Sequence, residues 1–326
     1  MINDSMSDIR SLLIHNAQSK LRTIAFADAL DIRVMHAALM LQQEQFANPL
    51  LVGNRQDIVN FANNHKIDIS TIEIRDPKES IMQEHIDALI NSNSSMNSAE
   101  EARHFLSNPL YFAGIEAKLG NIHGCIAGNI STTGDVIKAG IKSVGLAEGI
   151  QTVSSFFAMI FPERILFYAD CAVVPSPSVE QLCDIAAITA ENFKKICNMD
   201  PRVAFLSFST KGSSTHENAH KVREAFQLFN LKYPTILADG ELQFDAAFVP
   251  EIANLKAPES PLMGKANILI FPNLDAGNIA YKISQRLGGA RAIGPIVQGL
   301  SRPYFDLSRG CCTEDIIDVA LICAAL

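Results

Sequence analysis

The strongest constraint in this sequence is a recurring alternation in which apolar runs of strand length are followed by segments with helical periodicity. Arg22 to Phe26 (RTIAF) reads as a short strand, and Ile32 to Gln45 has helical spacing. Pro49 to Gly53 (PLLVG) is again strand-like, and Asn54 is placed to cap a following helix. The strand series continues at Ile72–Ile74, Ile122–Ala127, Ile165–Tyr168, Val203–Phe208, Thr235–Ala238 and Ala266–Phe271. Helical segments fall between them, over Val179–Cys197, Asn218–Phe229 and Leu274–Leu287. This alternation predicts an α/β fold built of right-handed βαβ units, with mostly parallel sheets flanked by helices.

With 326 residues, the chain has room for one large or two medium domains. The glycines from Gly145 to Gly149 mark a candidate boundary, and Asn91 to Ser98 (NSNSSMNS) reads as a surface loop. A net charge of -8 argues against a nucleic-acid partner, which needs a basic face. It leaves room for an anionic small molecule held by a few local cations. The opening MINDSMSD is polar and acidic where a secretory leader needs a basic and then an apolar run. The greasiest stretch, Phe156 to Pro175, is interrupted by Pro162-Glu163-Arg164 and by Asp170, so no membrane span is expected. The seven cysteines include no Cys-x-x-Cys pair and read as reduced thiols in the cytoplasm.

Three segments could carry chemistry. The first is Phe305 to Ala320 (FDLSRGCCTEDIIDVA), where an apolar helix is expected to start near Thr313 as N-cap. Ser308, Arg309 and Asp315 would gather at that helix start, a combination suited to an anion and a proton transfer. The same residues would also serve as an ordinary cap beside a surface ion pair. The second is Gly128 to Lys138 (GNISTTGDVIK), at a strand-to-helix junction. It is either a phosphate cradle or a plain cap by Ser131 or Thr132. The third is Ser207 to Thr215 (SFSTKGSST), where Lys211 could meet a phosphate or simply lie in a solvated turn.

Two further features are weighed and set aside. His216-Glu217-Asn218-Ala219-His220 matches the H-E-x-x-H zinc pattern. It opens a helix straight after a polar turn, has a charged continuation and lacks an evident third ligand, so no metal is expected. Cys311 and Cys312 lie at the candidate site without a neighbouring histidine in sequence, and read as packing. No G-x-G-x-x-G fingerprint occurs.

From Leu206 onward the chain resembles the phosphate acetyltransferase family. The matching motifs are Leu206-Ser-Phe-Ser-Thr-Lys-Gly-Ser, Lys221-Val-Arg-Glu-Ala, Asp239-Gly-Glu-Leu-Gln-Phe-Asp-Ala-Ala, Lys256-Ala-Pro and Gly264-Lys-Ala-Asn. They continue through Phe271-Pro-Asn-Leu-Asp-Ala-Gly-Asn-Ile-Ala-Tyr-Lys, Gln285-Arg-Leu-Gly-Gly, Gly294-Pro-Ile-Val-Gln-Gly-Leu and Asp306-Leu-Ser-Arg-Gly-Cys.

The resemblance implies a two-domain fold like that of isocitrate and isopropylmalate dehydrogenases, with the active site in a cleft between the domains. Residues 1–147 and 300–326 would form one domain and 148–299 the other, the latter carrying a homodimer contact. It implies acetyl transfer between acetyl phosphate and coenzyme A, with coenzyme A as a substrate, no permanently bound cofactor and no metal. Asp315 falls at the family's general base, Ser308 at the transition-state hydroxyl and Arg309 at the phosphate-binding arginine. Ser131, Thr132, Thr133, Lys138, Asn278, Tyr281, Lys282, Arg286 and Arg302 are the further substrate and phosphate contacts expected. Phe26-Ala-Asp-Ala29 stands where relatives often have Leu-Pro-Glu-Gly, and Lys138 stands where an arginine is usual. Another arginine, usually ahead of the loop near Asn91, has no evident counterpart. Longer-chain acyl transfer, as in a phosphate butyryltransferase, and a non-catalytic binder of acyl phosphate or coenzyme A are the alternative readings.

Overall fold

The computed structural model describes residues 4–92, 96 and 98–326. Its elements begin with α1 (Asp4–Lys20), β1 (Thr23–Phe26), α2 (Ile32–Gln43), β2 (Asn48–Val52), α3 (Arg55–Asn64) and β3 (Glu73–Arg75). Next come α4 (Pro77–Ser80), α5 (Gln83–Ser92), α6 (Ala99–Leu106), α7 (Pro109–Leu119), β4 (Gly124–Ala127) and α8 (Thr133–Ser143). Then follow β5 (Ser154–Phe161), β6 (Arg164–Ala169), α9 (Val179–Cys197), β7 (Arg202–Leu206), α10 (Glu217–Lys232) and β8 (Leu237–Leu242). The chain closes with α11 (Phe244–Phe248), α12 (Pro250–Lys256), β9 (Ile268–Ile270), α13 (Leu274–Arg286), β10 (Arg291–Gln298), β11 (Tyr304–Asp306) and α14 (Thr313–Ala325). Of the polar stretch Asn91–Ser98, Asn91 and Ser92 end α5, while 93–95 and 97 lie outside the described residues.

Two compact units divide the chain. The first is Arg10–Gly149 with Leu300–Leu326, and the second is Ile150–Gly299 with residues 4–9. The first unit holds a five-stranded, all-parallel sheet in the order β11-β4-β1-β2-β3. Both of its faces are buried. Ala25, Leu50, Val52, Cys125 and Ala127 point into one apolar cluster with α7 and α8. The alternating partners Ile24, Phe26, Leu51 and Ile126 are equally shielded on the opposite side. Parallel strands put all their carboxyl ends on one edge. The order reverses between β1 and β4, the switch point where α/β sheets open a crevice. The segments after β1, β4 and β11 therefore meet there.

The second unit holds a six-stranded mixed sheet, β10-β5-β6-β9-β7-β8. β6, β9, β7 and β8 are parallel, but β5 and β6 form an antiparallel hairpin and β10 runs antiparallel to β5. The sequence pattern did not resolve β5, β10 or β11 as strands. Phe156–Pro175 is greasy because it contributes both arms of a hairpin in the middle of a sheet, with Pro162 and Glu163 at its tip. The strand expected over Thr235–Ala238 instead starts at Leu237 and runs through Asp239-Gly-Glu to Leu242. The polar residues do not end it because both carboxylates are partnered. Asp239 pairs with Lys211, and Glu241 meets Arg223 Nε and Nη2 at 3.0 Å each.

Glu241 also accepts from Ser209 Oγ (2.8 Å) and from the Gly212 amide (2.8 Å). Burial alone would raise this carboxyl, but the Arg223 guanidinium, the Gly212 amide and the Ser209 hydroxyl outweigh it and hold it at about 2. A carboxyl lowered on folding adds stability above its unfolded value, and that stability is lost as pH falls from ~4.5 toward ~2. Glu241→Ala, which leaves Arg223 unpaired over a buried site, is expected to cost about 3 kcal/mol. In thermal melts at pH 7 it should lower Tm by several degrees, and the gap from the parent should narrow as the pH is lowered through 3.

Candidate active site

The site begins with Asp28, which follows β1 and is 8% exposed. Its Oδ2 accepts from the amides of Gly128 (2.7 Å), Ile130 (3.1 Å) and Ser131 (3.0 Å), and its Oδ1 accepts from Ser131 Oγ (2.5 Å). The concave row of N–H groups after β4, of the kind that can cradle a phosphate, is filled by the protein's own carboxylate. Thr132 caps α8, its Oγ accepting from the Asp135 amide (3.2 Å) and donating to Asp135 Oδ2 (2.7 Å). Thr133 Oγ donates to Asp306 Oδ2 (2.7 Å) at the end of β11. The three hydroxyls thus each meet a carboxylate and tie the loop to its surroundings. Gly128 has φ +102°, and a Cβ there would come within 2.2 Å of Asp306 Oδ1.

Arg33, in the first turn of α2, joins this loop to the segment after β11. It is bidentate to Asp31 through Nε (3.0 Å) and Nη2 (2.6 Å). It also donates through Nη1 to the carbonyls of Arg309 (2.9 Å) and Cys311 (2.7 Å), and through Nη2 to that of Asn129 (3.3 Å). Burial alone would raise the Asp31 carboxyl, but the hydrogen bonds to it hold it below the ordinary value. Ser308 to Cys311 forms a tight turn closed by the Cys311 amide on the Ser308 carbonyl (2.9 Å). The Gly310 amide donates to Ser308 Oγ (3.2 Å). The N-cap of α14 is Cys312 rather than Thr313, because Asp315 reaches back to accept from the Cys312 amide (2.9 Å). Ser308 and Arg309 are exposed and Asp315 is half-buried. The turn therefore presents a hydroxyl, a guanidinium and a carboxylate on a stretch anchored from behind.

A cavity of about 450 Å³ lies within the first unit, walled by Asp28, by Pro109, Leu110 and Tyr111 at the start of α7, and by Ser131, Asp135 and Lys138. Lys138 is exposed on α8. Arg302 is not brought here. It precedes β11, whereas Ser308 follows it, so the parallel sheet puts Arg302 at the opposite edge. There it neighbours His123, whose pKa is lowered to about 4 by burial, Arg22 and Arg302.

In the second unit, Asn278 donates to the Cys171 carbonyl (3.1 Å) and Tyr281 stacks on Phe157 with centroids 4.0 Å apart. Lys282, over the Tyr281 ring, and Arg286 are exposed on α13. The Ser207–Thr215 loop turns its amides inward. Lys211 N–H meets the Glu241 carbonyl, Gly212 N–H the Glu241 carboxylate, and Ser214 N–H Ser209 Oγ. In the H-E-x-x-H stretch, His216 is the N-cap of α10 and accepts from Asn218, while His220 faces Glu224. The two histidines thus have different local jobs, and no group of three or more metal-ligating side chains occurs among the described residues. Cys311 is buried and its thiol is raised to about 11 by burial; exposed Cys312 is also raised, first by burial.

The profile of the phosphate acetyl/butaryl transferase family matches residues 8–324. The chain belongs to that family. It is 41% identical over 314 residues to the phosphate acetyltransferase of Clostridium acetobutylicum, covering 94% of each chain. Among solved structures, a phosphotransacetylase from Streptococcus pyogenes superposes with a TM-score of 0.93 at 37% identity. EutD phosphotransacetylase from Staphylococcus aureus does so with 0.92 at 36%, and coverage is 98% of both chains in each case. A 4-hydroxythreonine-4-phosphate dehydrogenase from Burkholderia phymatum, at 13% identity and a TM-score of 0.53, shares the fold alone. The phosphate acetyl/butaryl transferase fold is thus dehydrogenase-like, as the resemblance implied.

The residues that assemble the site, Asp28, Asp31, Arg33 and Asp306, were not singled out from the sequence. Asp28 and Asp306 fall within segments compared with the family, with no role attached to either, and Asp31 and Arg33 lie at the start of α2 with no signal of their own. Asp306 is 3% exposed, and burial raises its carboxyl to about 6; the Thr133 hydrogen bond works against this and the Asp28 charge adds to it. A carboxyl raised on folding costs stability above its folded value, and the cost vanishes below its unfolded value near 4. Asp306→Asn keeps an acceptor for Thr133 and removes the charge. Relative to the parent, its Tm is expected to be a few degrees higher at pH 7.5, with the difference shrinking to near zero by pH 4.5 in differential scanning fluorimetry.

Proposed function

We propose that this chain is a phosphate acetyltransferase, moving an acetyl group between acetyl phosphate and the thiol of coenzyme A. The observation that carries the reading is the Ser308–Asp315 turn, held at the switch point of the first unit's sheet in a chain alike over nearly its whole length to phosphate acetyltransferases.

In the proposed reaction Asp315 takes the thiol proton as sulfur attacks the acetyl carbonyl carbon. The C–S bond forms, the bond from that carbon to the phosphate oxygen breaks, and phosphate leaves on the Arg309 guanidinium. Ser308 stabilises the charge on the carbonyl oxygen. Its Oγ accepts from Gly310, which leaves its own O–H proton to donate. A carboxylate is a much weaker base than a thiolate, so proton removal runs together with attack rather than ahead of it. Lys138, Lys282 and Arg286 are exposed cations for the anionic substrates, and Arg302 has no place in this arrangement. Ser131, Thr132 and Thr133 act by shaping the loop, and Asn278 and Tyr281 by fixing α13. Coenzyme A is a substrate here, and the chemistry calls on no resident cofactor. The seven free thiols accord with a cytoplasmic setting.

Asp315→Asn is expected to lower kcat at least 100-fold while the KM for coenzyme A stays within about threefold, read from acetyl-coenzyme A formation. Near-normal turnover would remove Asp315 from the role of base. Comparing acetyl, propionyl and butyryl phosphate in the same assay tests the acyl preference, with acetyl expected to give the highest kcat/KM.

The second unit supports a homodimer. On α13, Ile279 (57% exposed) and Ile283 (53%) continue to Leu287 (85%) at four-residue spacing, an apolar stripe beside the edge strand β10. Ile283→Asp is expected to convert the dimer to monomer in analytical ultracentrifugation, while a parent that sediments as a monomer would remove the proposal.

A further inference from the structure

Arg33 touches none of the side chains assigned to the chemistry, yet its hydrogen bonds lead to two of them. A guanidinium has five N–H groups. Here Nε and one Nη2 proton go to Asp31, the other Nη2 proton goes to the Asn129 carbonyl, and the two Nη1 protons go to the carbonyls of Arg309 and Cys311. Every donor is spent inside the protein, and none remains for a phosphate or a carbonyl oxygen of the substrate.

The three carbonyls belong to three peptide groups. In a trans peptide the C=O and N–H point in opposite directions in one plane, so fixing the oxygen fixes the hydrogen. The hydrogen of the 309–310 peptide is on Gly310, which donates to Ser308 Oγ. That of the 311–312 peptide is on Cys312, which donates to Asp315 Oδ2. That of the 129–130 peptide is on Ile130, which donates to Asp28. A single planar cation thus holds, through three peptide planes, the proposed hydroxyl, the proposed base and the carboxylate that shapes the neighbouring loop.

From this geometry we infer that Arg33, oriented by Asp31, is a positioning residue of the transfer reaction, setting Ser308 Oγ and Asp315 through the peptides it grips. The inference rests on the roles proposed for Ser308 and Asp315. Lysine cannot replace it, since one ammonium has three donors from a single nitrogen and cannot span the carboxylate and three carbonyls. Loss of the grip lets the peptides rotate, and small misplacements of reacting groups cost turnover on the order of 100-fold.

The test is a double-mutant cycle on the full chain, comparing Arg33→Ala, Asp315→Asn and the double variant for acetyl-coenzyme A formation, with circular dichroism and Tm as folding controls. Arg33→Ala is expected to lower kcat about 100-fold, leave the KM for coenzyme A within about threefold, and recover at least tenfold when guanidinium chloride is added at millimolar concentration. In the Asp315→Asn background the same change should cost at least about fivefold less than in the parent, because one of the two groups it positions is already disabled and only the share carried through Ser308 remains. Arg33→Lys, which keeps the charge and the stem, is expected to lose at least tenfold and to gain nothing from guanidinium; it carries the test alone if Arg33→Ala fails to fold. Turnover within threefold of the parent for a folded Arg33 variant, alongside a deficient Asp315→Asn, overturns the positioning role and leaves the base assignment standing. Losses that multiply fully in the double variant also overturn it. Near-normal turnover of Asp315→Asn sinks the base assignment, and the positioning role with it.

Discussion

A buried carboxylate does at the heart of the first unit what an external anion does in many α/β proteins. Asp28 takes up the N–H groups of the turn after β4 and so decides where that turn lies. Everything around it is keyed to this choice. Thr133 reaches Asp306 only because the turn is held there, and Asn129 offers its carbonyl to Arg33 for the same reason. A carboxylate bonded to several backbone donors is a strong fixture, since each bond is charge-assisted and the ion is shielded from water.

The second unit repeats the device on a different sheet. Asp170, directly after β6, accepts from the amides of Ser155, Ala172, Val173 and Val174 and from Ser155 Oγ. Glu241 gathers the Ser209–Gly212 turn in the same manner. In each case an acid at or near a strand end replaces a solvent-exposed loop with one that is internally bonded. These acids shape the loops and are spent inside the fold, whereas the side chains of Lys138, Arg309, Lys282 and Arg286 are exposed.

Much of the fold was legible because its signal is local. The eight strand readings all fell on or beside observed strands, and Val179–Cys197 matched α9 end to end. What escaped was non-local. β5 is buried along nearly its whole length because both faces are covered, so it lacks the period of two that marks a half-exposed strand. β8 hid behind Asp239 and Glu241, whose partners Lys211 and Arg223 lie far away in sequence. At the site, the 308–315 segment stood out through residue chemistry and family likeness together. Arg33 and Asp28 did not, since nothing in ADALDIR announces that its arginine will grip carbonyls some 280 residues later. Arg302, expected among the substrate contacts, precedes β11 whereas Ser308 follows it, and which end of a strand a residue occupies is not visible until the strand is.

The missing side chain at residue 128 has a consequence for how this protein can diverge. The backbone of Leu307 and the carboxylate of Asp306 close off the space above Gly128, so even a methyl group is shut out. The junction of β4 with the end of β11 is frozen at the level of the main chain, and sequence drift has no purchase on it. The cavity within the same unit, where α7 offers Leu110 and Tyr111 and α8 offers Lys138, is walled by side chains. Variation in shape among descendants of this sequence is thereby channelled to those side chains, with the strand junction serving as a fixed datum.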